Sequence, residues 1–223
     1  MNRSISPIRS IYIFCALIAL PAMAATVRVD VKRDSGAAVE NAVVYAVPPH
    51  PMALAKHKSV MDQVNRQFVP HVLPVQIGTA VKFPNSDDIQ HHVYSFSAAK
   101  KFELPLYKGT PANPVVFDTP GVVTLGCNIH DKMNGYNDVL DTPFFEKSEA
   151  SGRVEFSNLP PGKYVIHAWQ PDMSEEPAVQ EVTLGEGEQS SLAFTIKPAP
   201  AAMTSAPLNK VEDKFKKYGN GRP

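Results

Sequence analysis

The chain has 223 residues, and its 22 basic and 22 acidic side chains give a formal charge of zero. Residues 25–200 are mildly acidic and the remaining positive charge concentrates in the C-terminal tail, a distribution that does not suggest a nucleic-acid footprint, so we expect no nucleic-acid partner. Beyond the first residues, no segment is apolar enough to cross a bilayer, so we expect no stable membrane insertion.

The N-terminus has the pattern of a secretory signal peptide. Arg3 and Arg9 precede an apolar run over residues 11–20, and Ala22 and Ala24 are small residues at the two positions that a signal peptidase reads. We therefore predict a signal peptide over residues 1–24, cleaved after Ala24, and a periplasmic protein; an uncleaved anchor is the alternative. The mature chain of about 199 residues then has a formal charge of about −2 and one cysteine, which no second cysteine can pair.

Short runs of alternating apolar residues, separated by 21 prolines and 12 glycines, predict an all-β chain. Modest helical patterns occur at 53–60 and 208–218. The predicted strands cover residues 26–31, 39–47, 63–68, 72–77, 80–83, 91–96, 115–117, 122–125, 136–140, 153–156, 163–170, 179–184 and 190–196.

The two ends of the chain resemble one family, and the middle does not. The matching segments are Asp34–Gly36, Val39–Ala42, Gly152–Phe156 and Leu159–Tyr164, and they resemble transthyretin-like or carboxypeptidase-regulatory-like β-sandwiches, which are immunoglobulin-like in architecture. About a hundred residues separate halves that lie close together in that family. The resemblance implies a discontinuous sandwich over 25–50 and 148–198, with a second domain over 58–146 inserted into it. The alternative is one continuous sandwich with long decorations; residues 199–223 form a Pro/Ala-rich linker and a basic tail.

Three soft donors lie within seven residues in the middle of the chain. Cys127, His130 and Met133 offer a thiolate, an imidazole and a thioether, a set that suits a redox-active metal better than zinc, which is the rival metal. A second imidazole is available upstream, where Asn85 precedes His91 by six residues. His92 is the alternative ligand, because neighbouring residues of a strand face opposite sides.

The stretch from residue 62 to 140 resembles the cupredoxins plastocyanin and amicyanin. The resemblance implies a Greek-key β-sandwich with one type 1 copper held by His91, Cys127, His130 and Met133, the last as a weak axial ligand. It also suggests Asn85 as a hydrogen-bond donor to the backbone of the metal loop. We interpret Asp87 and Asp88 as a solvated turn, and His50, His57, His71 and His167 as surface or structural residues. The residues that carry the match are Gly78, Val81, Phe83, Asn85, His91, Val93, Phe117, Gly121, Cys127, His130, Met133 and Gly135.

These residues predict an electron carrier and not an enzyme, because no coordination position is left open for substrate. Chains of this kind resemble a bacterial group often labelled methylamine-utilisation proteins, which implies a cytochrome c or quinoprotein as the redox partner. Two alternatives stay open. One is a copper-binding or copper-delivery module without electron transfer, and the other is an adhesion or scaffold protein whose sandwich is the working part.

Overall fold

The computed structural model describes residues 23–173 and 177–198. Every regular element in these residues is a β-strand, which confirms the predicted all-β class. The strands are β1 (Ala25–Arg33), β2 (Val43–Val47), β3 (Lys58–Val60), β4 (Asp62–Val64), β5 (Gln67–Val69), β6 (Val72–Gln76), β7 (Thr79–Lys82), β8 (His91–Ser97), β9 (Lys100–Tyr107), β10 (Val115–Phe117), β11 (Gly121–Gly126), β12 (Asn134–Leu140), β13 (Phe144–Lys147), β14 (Arg153–Leu159), β15 (Gly162–Trp169), β16 (Ala178–Leu184) and β17 (Gln189–Ile196).

A first sandwich is built from the strands at the two ends of the chain. One sheet has the order β14-β1-β17 and the other the order β13-β2-β15-β16. The alternation predicted for β1 is confirmed, since Val27, Val29 and Val31 are all fully buried. They share one core with Phe156 and Phe194 of the same sheet and with alternate residues of β2 and β15.

A second sandwich is built from the middle of the chain. A five-stranded sheet has the order β6-β12-β11-β8-β9, and a three-stranded sheet has the order β10-β7-β3. Their common core includes Phe83, Phe117 and Leu125, and it extends to Cys127 and Met133 at one end. The hairpin β4–β5 packs beside this end through Phe68, which belongs to the same core.

The two sandwiches meet across a small third cluster. It contains Val43 and Trp169 from the first sandwich and Val72 and Leu140 from the second. Strand β2 is therefore covered on both faces, because Val44 and Ala46 point into the first core while Val43 lies in this contact. Burial on both faces explains the nearly continuous apolar sequence of β2.

Several sequence predictions are wrong in detail. Residues 53–57 have no regular structure and 58–60 form β3, so the helical pattern there does not form a helix. The strand predicted over 63–68 is two strands joined by a turn at Asn65 and Arg66. Strands β9 and β13 were not predicted. The helical pattern at 208–218, the linker and tail over 199–223, and residues 1–22 of the predicted signal peptide lie outside the described residues. Within the described ranges, no helix is long and apolar enough to span a membrane.

Candidate metal centre

The loop with the three soft donors connects two paired strands. β11 and β12 form an antiparallel ladder that ends at the pair Gly126 and Asn134, so residues 127–133 are the connection between them. The N–H of Cys127 donates to the carbonyl of Met133 at 3.2 Å, and the N–H of Met133 donates to the carbonyl of His130 at 2.9 Å. These bonds close the loop on itself, which limits how far the side chains can rearrange.

Strand β8 brings the upstream histidine to this loop. The sulfur atom Sγ of Cys127 lies 3.9 Å from Nδ1 of His91 and 3.6 Å from Nδ1 of His130. The two Nδ1 atoms are 3.2 Å apart. His91 is fully buried and Cys127 is 2% exposed, whereas His130 is half-buried. The three donors therefore converge on one point near the surface.

The separations fit a single metal ion bound in a trigonal plane. Metal–nitrogen bonds of about 2.05 Å and a metal–sulfur bond of about 2.3 Å, as found for zinc, place the nitrogens about 3.5 Å apart and each about 3.8 Å from the sulfur when the angles are 120°. The observed values of 3.2, 3.6 and 3.9 Å lie within a few tenths of an ångström of this arrangement. A thiolate with two imidazoles in a trigonal set is typical of blue-copper sites.

The fourth predicted residue, Met133, lies in the same core as Cys127 and is 1% exposed. Its backbone closes the loop, as described above. His92, the alternative to His91, lies elsewhere: its Nε2 is 2.8 Å from Oε1 of Glu103, and its Nδ1 is buried without a hydrogen-bond partner. The structure therefore brings His91, and not His92, to Cys127 and His130.

Asp87 holds the ring of His91 in place, contrary to the interpretation of this residue as part of a solvated turn. Its Oδ2 lies 2.7 Å from Nε2 of His91. Because a carboxylate accepts the proton of Nε2, this contact leaves the Nδ1 lone pair directed at the cluster. Burial works to raise the pKa of Asp87, but hydrogen bonds from the Arg66 amide, from His91 and from the Asn65 amide outweigh it and bring that pKa below its usual value.

The hairpin β4–β5 supports this carboxylate. Asn65 and Arg66 both have positive φ angles, 54° and 59°, as a two-residue hairpin turn of type I′ requires. Their N–H groups donate to the two oxygens of Asp87 at 2.6 and 2.9 Å. The same hairpin packs on β12 just after the metal loop, because Phe68 lies where a side chain at Gly135 would be: a Cβ there would come within 2.8 Å of the Cβ of Phe68.

Asn85 does not contact the metal loop as predicted. Its side-chain amide donates to the carbonyls of Ile89 and Tyr107, each at 2.8 Å, and its Oδ1 accepts the N–H of Asp87 at 3.0 Å. Asn85 therefore shapes the turn that places Asp87 and His91. The side chain of Asn85 is used within its own turn, because its Oδ1 accepts the N–H of Asp87 only two residues further along the chain.

The second ring of the cluster is biased toward its neutral form. Burial has the largest effect in lowering the pKa of His130, the electrostatic effects of His91 and Arg66 lower it further, and Asp87 offsets them in part. A neutral imidazole is the form that binds a metal. The other histidines of the described residues are apart from this cluster. His50, His57 and His71 are exposed, and His167 stacks on Tyr45 with ring centroids 4.5 Å apart.

No family model and no curated protein matches the chain. Among solved structures, a pseudoazurin from Sinorhizobium meliltoi matches at 22% identity and a TM-score of 0.31, over 38% of this chain and 74% of that chain. A purple cupredoxin from Nitrosopumilus maritimus matches at 23% identity and 0.32, over 36% and 96% of the two chains. A reduced amicyanin variant matches at 24% identity and 0.34, over 43% and 99%. All three TM-scores are low, and the metal centre is inferred from the side chains described above.

Proposed function

We propose that this chain is a periplasmic type 1 copper protein that carries single electrons between redox partners. One copper ion would be held in a plane by His91, Cys127 and His130, with Met133 as a weak axial ligand. The observation that carries the proposal is the convergence of one sulfur and two Nδ1 atoms at separations of 3.2 to 3.9 Å, the spacing of a trigonal metal site.

The donor chemistry favours copper over zinc. A thiolate and a thioether are soft ligands that select copper, and zinc sites in proteins use tetrahedral sets of cysteine, histidine and carboxylate. The thiol also needs a partner, because Cys127 is the only cysteine among the described residues and is unpaired. A free thiol is a liability in an oxidising compartment, and ligation to a metal removes it.

The surroundings favour electron transfer over catalysis. Loop hydrogen bonds hold Cys127 and Met133, and the bond to Asp87 holds His91, so the donors would move little when the metal changes oxidation state. Four protein ligands leave no position for a substrate, so we propose a carrier and not an enzyme. The partner would be another redox protein, such as a cytochrome c or a quinoprotein.

We further propose that the chain consists of two domains. The 58–146 domain would hold the copper and would be inserted between 25–50 and 148–198, which would form the second sandwich. The separate cores support this division, since the buried residues of one come from 25–46 and 154–196 and those of the other from 61–139. Strand β13 (Phe144–Lys147) belongs to the first sandwich and Phe144 packs against its core, so the boundary falls before residue 144 and not after residue 146. The signal-peptide pattern of residues 1–24 supports export to the periplasm.

Metal binding followed by voltammetry tests the function. Purified mature protein is titrated with copper and with zinc in competition, and its copper-loaded form is then studied at an electrode. An electron carrier gives one tightly bound copper per chain and a reversible one-electron wave. A delivery module gives copper that exchanges readily with a chelator and no reversible wave. Tight zinc with no preference for copper would contradict the proposal, and a chain that binds no metal tightly would indicate a scaffold protein.

A further inference from the structure

A cleft lies between the two sandwiches, on the side of the third cluster. Its volume is about 870 Å³, which is enough for a small organic molecule. Tyr45 and Trp169 line it from the first sandwich, and Val122, Leu140 and Asp138 line it from the second. Neither the metal centre nor its supporting hairpin contributes to its walls.

The cleft contains a buried carboxylate without a partner. Asp138 is 4% exposed, and its side chain makes no hydrogen bond or ion pair within residues 23–173 and 177–198. Asp141 adds a second negative charge to the lining, and no lysine, arginine or histidine of the described chain lines the cleft. Burial raises the pKa of Asp138 to about 6, so this carboxyl is mostly ionised at neutral pH. A buried charge without a counter-charge destabilises a fold, and a cationic ligand would offset that cost.

The remaining walls indicate what kind of cation fits. Trp169 and Tyr45 contribute aromatic rings, one face of the Tyr45 ring being stacked on His167, and Val122 and Leu140 are aliphatic. Aromatic faces attract organic cations, most strongly where water is excluded, and apolar walls match alkyl substituents. A calcium ion would need six to eight oxygen ligands, which two carboxylates do not provide. Two negative charges also disfavour an anion.

We propose that this cleft binds a small organic ammonium ion, with the Asp138 carboxylate as its counter-charge and the Trp169 and Tyr45 rings around its alkyl groups. The proposal does not depend on copper, because the cleft and the metal centre share no residue.

The chain provides its own reporter for a test, since Trp169 is its only tryptophan. The mature protein is titrated with tetraethylammonium chloride while the fluorescence of Trp169 is recorded, with sodium chloride at the same ionic strength as the control. Calorimetry of the same titration gives an independent binding constant. We expect saturable binding of tetraethylammonium and none of sodium.

Variants assign the binding to the cleft. Asp138→Asn keeps the shape of the side chain and removes its charge, so it should weaken binding at least tenfold, the equivalent of about 1.4 kcal/mol. Asp30→Asn is the matched control, because Asp30 lies on β1 in the other sheet of the first sandwich, ion-paired with Arg153. The Asp30→Asn variant should leave the binding constant for tetraethylammonium unchanged. The proposal is overturned if neither method detects saturable binding, if sodium chloride has the same effect, or if Asp138→Asn binds as tightly as the native chain.

Discussion

Replacement of Asp138 by asparagine should stabilise the protein at neutral pH, and the size of the gain follows from its burial. The pKa of this carboxyl is about 6 in the folded chain against 3.8 for an ordinary aspartate. Because the folded pKa is raised, the folded state binds the proton more tightly than the unfolded state does. The free energy of unfolding therefore falls as the pH rises from about 4 to above 6. A difference of about two pKa units corresponds to about 3 kcal/mol, since one unit is about 1.36 kcal/mol.

An asparagine at this position has no proton to lose. The Asp138→Asn variant should therefore be up to about 3 kcal/mol more stable than the native chain at pH 8, and the advantage should disappear near pH 4. Urea unfolding of both proteins, freed of metal with a chelator and followed by Trp169 fluorescence, gives the difference at each pH. Other carboxyls titrate equally in the two proteins and cancel. A variant that is no more stable than the native chain at pH 8, or a difference independent of pH, would refute the reasoning.

Three other predictions concern the metal centre. Asp87→Ala should weaken copper binding by about 10- to 100-fold, because it frees the ring of His91; competition with a copper chelator measures this, and unchanged affinity would contradict it. His91→Gln should abolish the visible absorption of the copper protein while His92→Gln preserves most of it, and the reverse result would assign the ligand to His92. Gly135→Ala should lower the free energy of unfolding by about 1–3 kcal/mol, because its Cβ would overlap Phe68; an unchanged urea midpoint would show that Phe68 moves aside freely.

The pattern of apolar residues predicts strands well where one face is buried. β1 is the clearest example, since its alternate valines are all fully buried in the first core. β9 cannot be predicted from its apolar pattern because it is an edge strand with no fully buried residue. Pro105 within it also argues against a strand. Residues 53–60 show the opposite error, because their weak helical pattern predicts a helix where residues 58–60 instead pair with β7 as strand β3.

Part of the metal centre can be predicted from local sequence patterns, and part depends on contacts between distant residues. Cys127, His130 and Met133 can be recognised because they lie on one loop, and His91 because Asn85 marks its turn. The role of Asp87 depends on a hairpin that folds back from residues 65 and 66, and no local pattern reports that contact. One signal was present, since Asp87 precedes His91 by four residues in a turn rich in Asn, Ser and Asp.

The cleft could not be predicted from the sequence at all. Tyr45 and Trp169 come together when β2 pairs with β15, and the packing of the two sandwiches then brings Asp138 of β12 into the same cleft. Residues 136–140 read Tyr-Asn-Asp-Val-Leu, and nothing in this segment marks Asp138 as a buried residue. Its environment becomes unusual only because the outer face of β12 is covered by the first sandwich.

The visible spectrum of the purified protein with Cu(II) tests the central claim most directly. A thiolate–copper bond at Cys127 predicts an intense charge-transfer band toward the red end of the spectrum with one copper per chain. The Cys127→Ser variant should lose this band, because it replaces the thiolate with a hydroxyl. A protein that stays colourless with Cu(II), or a band that survives Cys127→Ser, would contradict the account.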